Sequence, residues 1–112
     1  MTEIKPEFMY GTLDLIVLKA LDTLGTLHGF GMAERIHQVS KELLTVNQGT
    51  LYASLARLEQ NGCITSKWGV TENNRKGRYY SITKTGKRRL AKEAEDWGRM
   101  TEVMGRVLAG SF

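Results

Sequence analysis

One cysteine, Cys63, and one proline, Pro6, are all that this 112-residue chain holds of either type. A lone thiol excludes an internal disulfide framework, and the absence of an N-x-S/T sequon leaves nothing that argues for an oxidising compartment. Long hydrophobic runs are missing too. The most apolar stretch, Leu13–Leu24, is broken by Asp14, Lys19 and Asp22, and Glu3, Lys5 and Glu7 stand ahead of it. That pattern excludes a membrane span and a signal peptide, so a cytoplasmic location is expected. The length suits one domain, able to bury about two thirds of its unfolded surface and to fold without metal or disulfide staples.

What the chain does hold is basic charge, unevenly spread. Lys plus Arg number 16 against 12 acids, a net charge of +4. Residues 1–60 carry 5 bases and 7 acids, whereas 61–112 carry 11 and 5. Within 67–92, nine bases are set against Glu72 alone. Such density points to a polyanion, either nucleic acid or an anionic membrane surface, against the plainer reading of a solvated face.

Residues 1–11 read as a loosely held arm. Thr12 is placed to cap a helix running to about Leu24, with Asp14 suited to the positive end of its dipole. Leu13, Ile16, Val17, Ala20, Leu21 and Leu24 share one helical face. Leu15 and Leu18 project off it, so a second apolar surface needs cover from another helix of the chain or from a partner subunit. Gly25 ends this helix, and residues 26–31 (TLHGFG) read as a turn into a second, over about 32–40, with Met32, Ile36, Val39 and Leu43 as its buried row. Residues 43–46 read as a brief strand. Asn47 then offers an N-cap for a third helix over 48–61, with Leu51, Leu55 and Leu58 inward and Gly62 as its stop. The period next changes to two: Ile64, Ser66, Trp68 and Val70 alternate with Thr65, Lys67 and Gly69, and a second strand follows over 78–82. Between the strands, residues 71–77 (TENNRKG) hold turn formers and two cations. Thr83 caps a long last helix reaching about Leu108.

Three short helices, a hairpin and a long helix give a mainly α fold with a small β-hairpin. This is the winged helix-turn-helix order over 12–83, followed by a C-terminal dimerisation helix over 84–110. In that geometry the third helix enters the major groove and the hairpin touches flanking backbone. With its leucines inward, the third helix presents Gly49, Thr50, Ala53, Arg57 and Gln60, a face small enough near its start for close approach to DNA. Gln48, Thr50 and Ser54 are expected near the bases, and Arg57 within reach of a phosphate or a guanine. The wing and its flank add Asn74, Arg75, Lys76, Arg78 and Lys87 as phosphate-side candidates. Lys84, Lys87, Arg88, Arg89 and Lys92 crowd the start of the last helix, where cations oppose the dipole, so an external anion is expected there.

Leu90, Ala94, Trp97, Thr101, Met104 and Leu108 recur at spacings of four and three, a heptad seam too long for so small a chain to cover by itself. A homodimer is expected, joined through that seam and the spare Leu15 and Leu18 face. Ala91, Gly98 and Gly105 recur every seven residues beside the seam, which implies close helix approach or space for a ligand next to Trp97.

Catalytic patterns are weak. Residues 29–34 give G-x-G-x-x-E without the third glycine or preceding strand of a dinucleotide site, and there is no Walker motif or G-x-S-x-G elbow. His28, His37 and Cys63 lack metal-ligand spacing. No enzyme, cofactor or metal is expected. The rival to DNA binding is a protein-interaction module whose basic wing takes an acidic partner.

Residues 11–20 (GTLDLIVLKA), 28–30 (HGF), 48–59 (QGTLYASLARLE), 62–64 (GCI) and 78–86 (RYYSITKTG) together resemble the PadR-type transcriptional regulators. Trp68-Gly69 and residues 72–75 (ENNR) resemble in particular the branch found in Acidobacteria and related soil bacteria. The likeness spans about residues 8–97 and the short class of the family. It implies a dimeric winged-helix repressor acting on double-stranded DNA at an inverted repeat, with dimerisation through the last helix. It also implies that Gly49, Thr50 and Tyr52 lie at the DNA surface. In some short-class relatives a tryptophan on the last helix lines a pore between subunits where flat hydrophobic compounds stack, and Trp97 matches it by location. A small hydrophobic or aromatic effector is the expectation that follows.

Overall fold

The computed structural model describes residues 12–110, so the arm expected over residues 1–11 lies outside the described residues. The chain forms α1 (Leu13–Leu24), β1 (Leu27–His28), α2 (Gly29–Val39), α3 (Gln48–Gln60), β2 (Ile64–Val70), β3 (Lys76–Ile82) and α4 (Lys84–Leu108). The fold is mainly helical, with one small antiparallel sheet and a long C-terminal helix.

Helix α1 lies at the centre and touches α2, α3, α4 and β3. A helix surrounded on several sides needs an apolar face wider than a single stripe. Leu13, Val17, Leu18 and Leu21 are accordingly buried, and Leu15, Ile16 and Ala20 pack partly against the same core. Leu18 has no exposed surface left, which corrects its place on a spare face awaiting a partner. Thr12 holds the N-cap position, its carbonyl accepting the Ile16 amide at 3.1 Å, but its side chain makes no capping bond.

The turn expected over 26–31 is a short strand. Leu27 pairs with Tyr80 and His28 with Tyr79, so the sheet has three strands in the order β1-β3-β2. Helix α2 therefore starts at Gly29, earlier than the apolar spacing indicates, because the His28 ring accepts the Gly31 amide through Nδ1 at 3.2 Å and caps it. Met32 and Ile36 are buried as expected. Val39 is 73% exposed, and Leu44 enters the core in its place. No strand forms over 43–46. Lys41 and Glu42 turn the chain with positive φ, and Ser40 Oγ accepts the Leu44 amide at 3.0 Å, which closes the loop locally.

Asn47 and Gly62 bound α3 as read: Asn47 Oδ1 accepts the Thr50 amide at 2.8 Å, and Gly62 leaves the helix at φ +72°. Strands β2 and β3 pair from Ile64 opposite Ile82 to Val70 opposite Lys76, extending β3 beyond the expected 78–82. Thr83 ties the next joint twice, its hydroxyl accepting from the Gly86 amide at 3.1 Å and donating to the Gly62 carbonyl at 2.7 Å.

Candidate nucleic-acid interface

Burying Leu51, Leu55 and Leu58 turns Gln48, Gly49, Tyr52, Ala53, Ala56, Arg57 and Gln60 of α3 outward, with Thr50 half-buried. Ser54 does not join this surface. It is fully buried, and its hydroxyl donates to Asp14 Oδ1 at 2.5 Å, which corrects its expected place near the bases. A small hydroxyl is at home on either side of a helix, and here a carboxylate from α1 draws it inward.

Asp14 is the buried charge to which the site is fixed. Arg57 donates to it through Nη2 at 2.8 Å and Nε at 3.4 Å, and Arg89 of α4 approaches at 3.7 Å. Burial alone would raise the Asp14 carboxyl. Hydrogen bonds from Arg57 and Ser54, with the charges of Arg57 and Arg89, outweigh it and hold the group below its ordinary 3.8. From its place in the first turn Asp14 complements the helix dipole, and its partners on α3 and α4 give it a second task. Arg89 is likewise committed, to Asp14 and to Glu93 at 2.7 Å, so it is not one of the cations awaiting an external anion.

The wing is braced from within. Gly69 and Gly77 face each other across β2 and β3, and a β-carbon on Gly69 would lie 2.8 Å from the Tyr79 ring. Tyr79 crosses that gap and donates to the Val70 carbonyl at 3.1 Å, while His28 meets its ring edge-on. Arg78 donates through Nε to Ser66 Oγ at 2.9 Å, sits over the Trp68 ring at 5.6 Å and lies 3.9 Å from Glu59. Ser66 in turn donates to Glu59 Oε2 at 2.6 Å, joining the wing to the end of α3. At the tip, Thr71 N bonds the Arg75 carbonyl at 2.8 Å and Asn74 adopts φ +58°, a conformation Asn tolerates. Asn74, Arg75 and Lys76 are exposed there, and Lys87 is exposed on the first turns of α4. Among the described residues, Arg75, Lys76, Lys84, Lys87 and Lys92 make no ion pair.

The start of α2 and the wing flank one open groove of about 670 Å³, which α3 reaches through Tyr52. Tyr52 enters it from α3, Phe30 from the start of α2, and Arg75, Lys76 and Arg78 from the hairpin. Tyr52 is fixed by close approach: a β-carbon on Gly29 would lie 2.6 Å from its hydroxyl. The pairing of Gly29 with Tyr52 escaped sequence reading, since the two belong to different helices and neither is in an apolar register.

Leu90 is buried within the chain, and Leu15 is half-buried against the core, so neither is mainly available to a partner. From Ala94 onward every residue of α4 is exposed, including Trp97, Thr101, Met104 and Leu108. Met100, Val103 and Val107 widen that apolar strip beyond the expected seam. Among the described residues no cluster of His, Cys, Asp or Glu could hold a metal, and no helix is long and apolar enough to cross a membrane.

Residues 17–92 match the transcriptional regulator PadR-like family. A transcriptional regulator from Clostridium thermocellum is 31% identical, with a TM-score of 0.81 over 89% of this chain and 96% of that one. A PadR family transcriptional regulator from Eggerthella lenta is 25% identical, with a TM-score of 0.78 over 91% of this chain and 86% of that one. An uncharacterized protein from Lysinibacillus sphaericus is 25% identical over 107 residues, which are 96% of this chain and 97% of the relative.

Proposed function

The chain belongs to the PadR-like family of transcriptional regulators, whose members regulate through DNA and are not enzymes, and on that premise we propose that it is a repressor binding an inverted-repeat operator as a homodimer. The observation that supports this most is the open groove lined by Tyr52 of α3 and by Arg75, Lys76 and Arg78 of the hairpin, whose cations outnumber the Glu34 and Glu72 carboxylates beside them. Gln48, Gly49, Thr50 and Arg57 read the major groove. Asn74, Arg75, Lys76 and Lys87 hold flanking phosphates, while Arg78 stiffens the wing through Ser66 and Trp68. The exposed strip of α4 joins two copies, and two-fold symmetry sets the half-sites one helical turn, or a multiple of it, apart. A flat hydrophobic effector that stacks on Trp97 between subunits releases the DNA; Trp97 fluorescence that stays unchanged while such compounds do release DNA overturns that part.

Footprinting separates this from capture of an acidic protein partner, which leaves DNA unprotected. The division of labour is tested by two variants on duplexes that differ in one half-site. Arg75→Ala weakens all sequences alike and lowers the slope of log affinity against log salt by about 1. Arg57→Lys keeps a cation for Asp14 but loses the planar fork, and it alters preference between sequences. Equal, uniform losses from both refute the assignment.

A further inference from the structure

We propose that Gly29, the first residue of α2, is a positioning residue for DNA binding: its bare Cα sets the angle at which the Tyr52 ring of α3 enters the groove, with the hydroxyl aimed at a phosphate. This rests on α3 and the wing forming the DNA surface. The backbone does not require glycine there, since φ at Gly29 is not positive, and a helix favours alanine over glycine. The contact requires it. A β-carbon on Gly29 would lie 2.6 Å from the Tyr52 hydroxyl, 2.8 Å from Cζ and 3.0 Å from Cε1, whereas ordinary contact begins at 3.4 Å. The hydroxyl would have to retreat by 0.8 Å, the difference between 2.6 and 3.4 Å. The start of α2 is held in place, because the His28 ring caps it at the Gly31 amide and His28 pairs with Tyr79 in the sheet. Helix α3 is held by the Asn47 cap and by Leu51 and Leu55 in the core. The ring is the element that yields: it is 42% exposed and lines the groove beside Arg75, Lys76 and Arg78, which outnumber Glu34 and Glu72. A strand drawn in by those cations carries its phosphates past the hydroxyl, a donor of the kind that DNA backbone oxygens accept from.

Positioning and stability then separate. Gly29→Ala should leave Tm within about 3 °C of wild type, because the tip of a side chain gives way cheaply. It should nevertheless weaken DNA binding about tenfold, the effect of one hydrogen bond to a charged phosphate. The loss should be equal on a scrambled duplex and on one selected by the wild-type chain from a random-sequence pool, with the salt slope unchanged, since a hydroxyl displaces no counterion. Tyr52→Phe should reproduce that loss, and combining it with Gly29→Ala should add nothing, because the glycine works only through the hydroxyl. In the free wild-type protein, the Gly29 α-protons and the Tyr52 ring protons should give an NMR cross-peak from their close approach, a measurement that needs no variant. Unchanged binding by either single variant overturns the proposal. So does a loss confined to the selected duplex, an additive double variant, a Tm lowered in Gly29→Ala by on the order of 10 °C, or a missing cross-peak. If the wild-type chain enriches no sequence, the DNA reading fails and this inference goes with it; enrichment with any of the preceding results overturns only the role of Gly29.

Discussion

Gly86 of α4 runs against the backbone carbonyl of Cys63, so closely that a β-carbon would overlap that oxygen and crowd the Ile82 side chain. The same carbonyl accepts the Thr83 amide at 3.0 Å, so the end of α3, the end of β3 and the start of α4 meet at one point. Backbone cannot swing aside as a side-chain tip can. Gly86→Ala is therefore expected to lower Tm by on the order of 10 °C at fixed protein concentration, the effect of about 2 kcal/mol of overpacking. Gly62→Ala has open space around it and is penalised only through its positive φ, by about 1 kcal/mol. Thermal melts of the two variants compare a clash with a strained dihedral.

His28 caps α2 through its ring nitrogen, an unusual residue for the task. His28→Ala should cost about 1 kcal/mol in chemical denaturation, and His28→Asn should recover much of it by offering Oδ1 to the same amide. What Asn does not recover measures the edge-on contact with Tyr79. Equal losses from Ala and Asn would remove the cap from this account.

Asp14 gives the fold a pH dependence whose sign is fixed. Its carboxyl titrates lower in the folded chain than the ordinary 3.8, so the ionised group stabilises the fold above that value and ceases to do so as pH falls through the lower folded one. Denaturation of wild type and Asp14→Asn, followed from neutrality to about pH 2, should show a stability difference that is widest near neutral pH and narrows below the ordinary value. A difference that does not vary with pH would mean that the charge is not what stabilises.

A negative charge at the middle of the exposed strip should separate the subunits. Met104→Glu places a carboxylate on the surface through which the proposed dimer forms, without touching the chain's own core. Light scattering should give twice the chain mass for wild type and a single chain mass for the variant. A variant that still runs as a dimer would move the interface elsewhere.

Much of this architecture was legible because it is local. Asn47 and Gly62 around α3, the period-two run of β2 and the threonine ahead of α4 each announce themselves within a few residues. What stayed hidden depends on partners far away in sequence. Ser54 and Asp14 lie 40 positions apart, and each alone has an ordinary surface explanation, one as a small polar residue on a reading helix and the other as a dipole partner. Arg89 looks like an unclaimed cation in the sequence because its two carboxylates come from α1 and from the next turn. Strand β1 has two residues, too few to show any period, and Leu18 misled because a helix with neighbours on several sides has no single buried stripe.

The last helix rests on its own chain only through its first turns, and from Ala94 it stands clear of the core. A rod clamped at one end works as a lever. Leu108 lies roughly 27 Å along the axis from Leu90, so a tilt of about 10° at the clamp sweeps the far end through nearly 5 Å. In the dimer proposed above, a wedge that spreads two such rods near their tips would reach the globular heads reduced in travel and increased in force. Coarse displacement at the tips would thereby become fine adjustment of the spacing between the heads of that dimer.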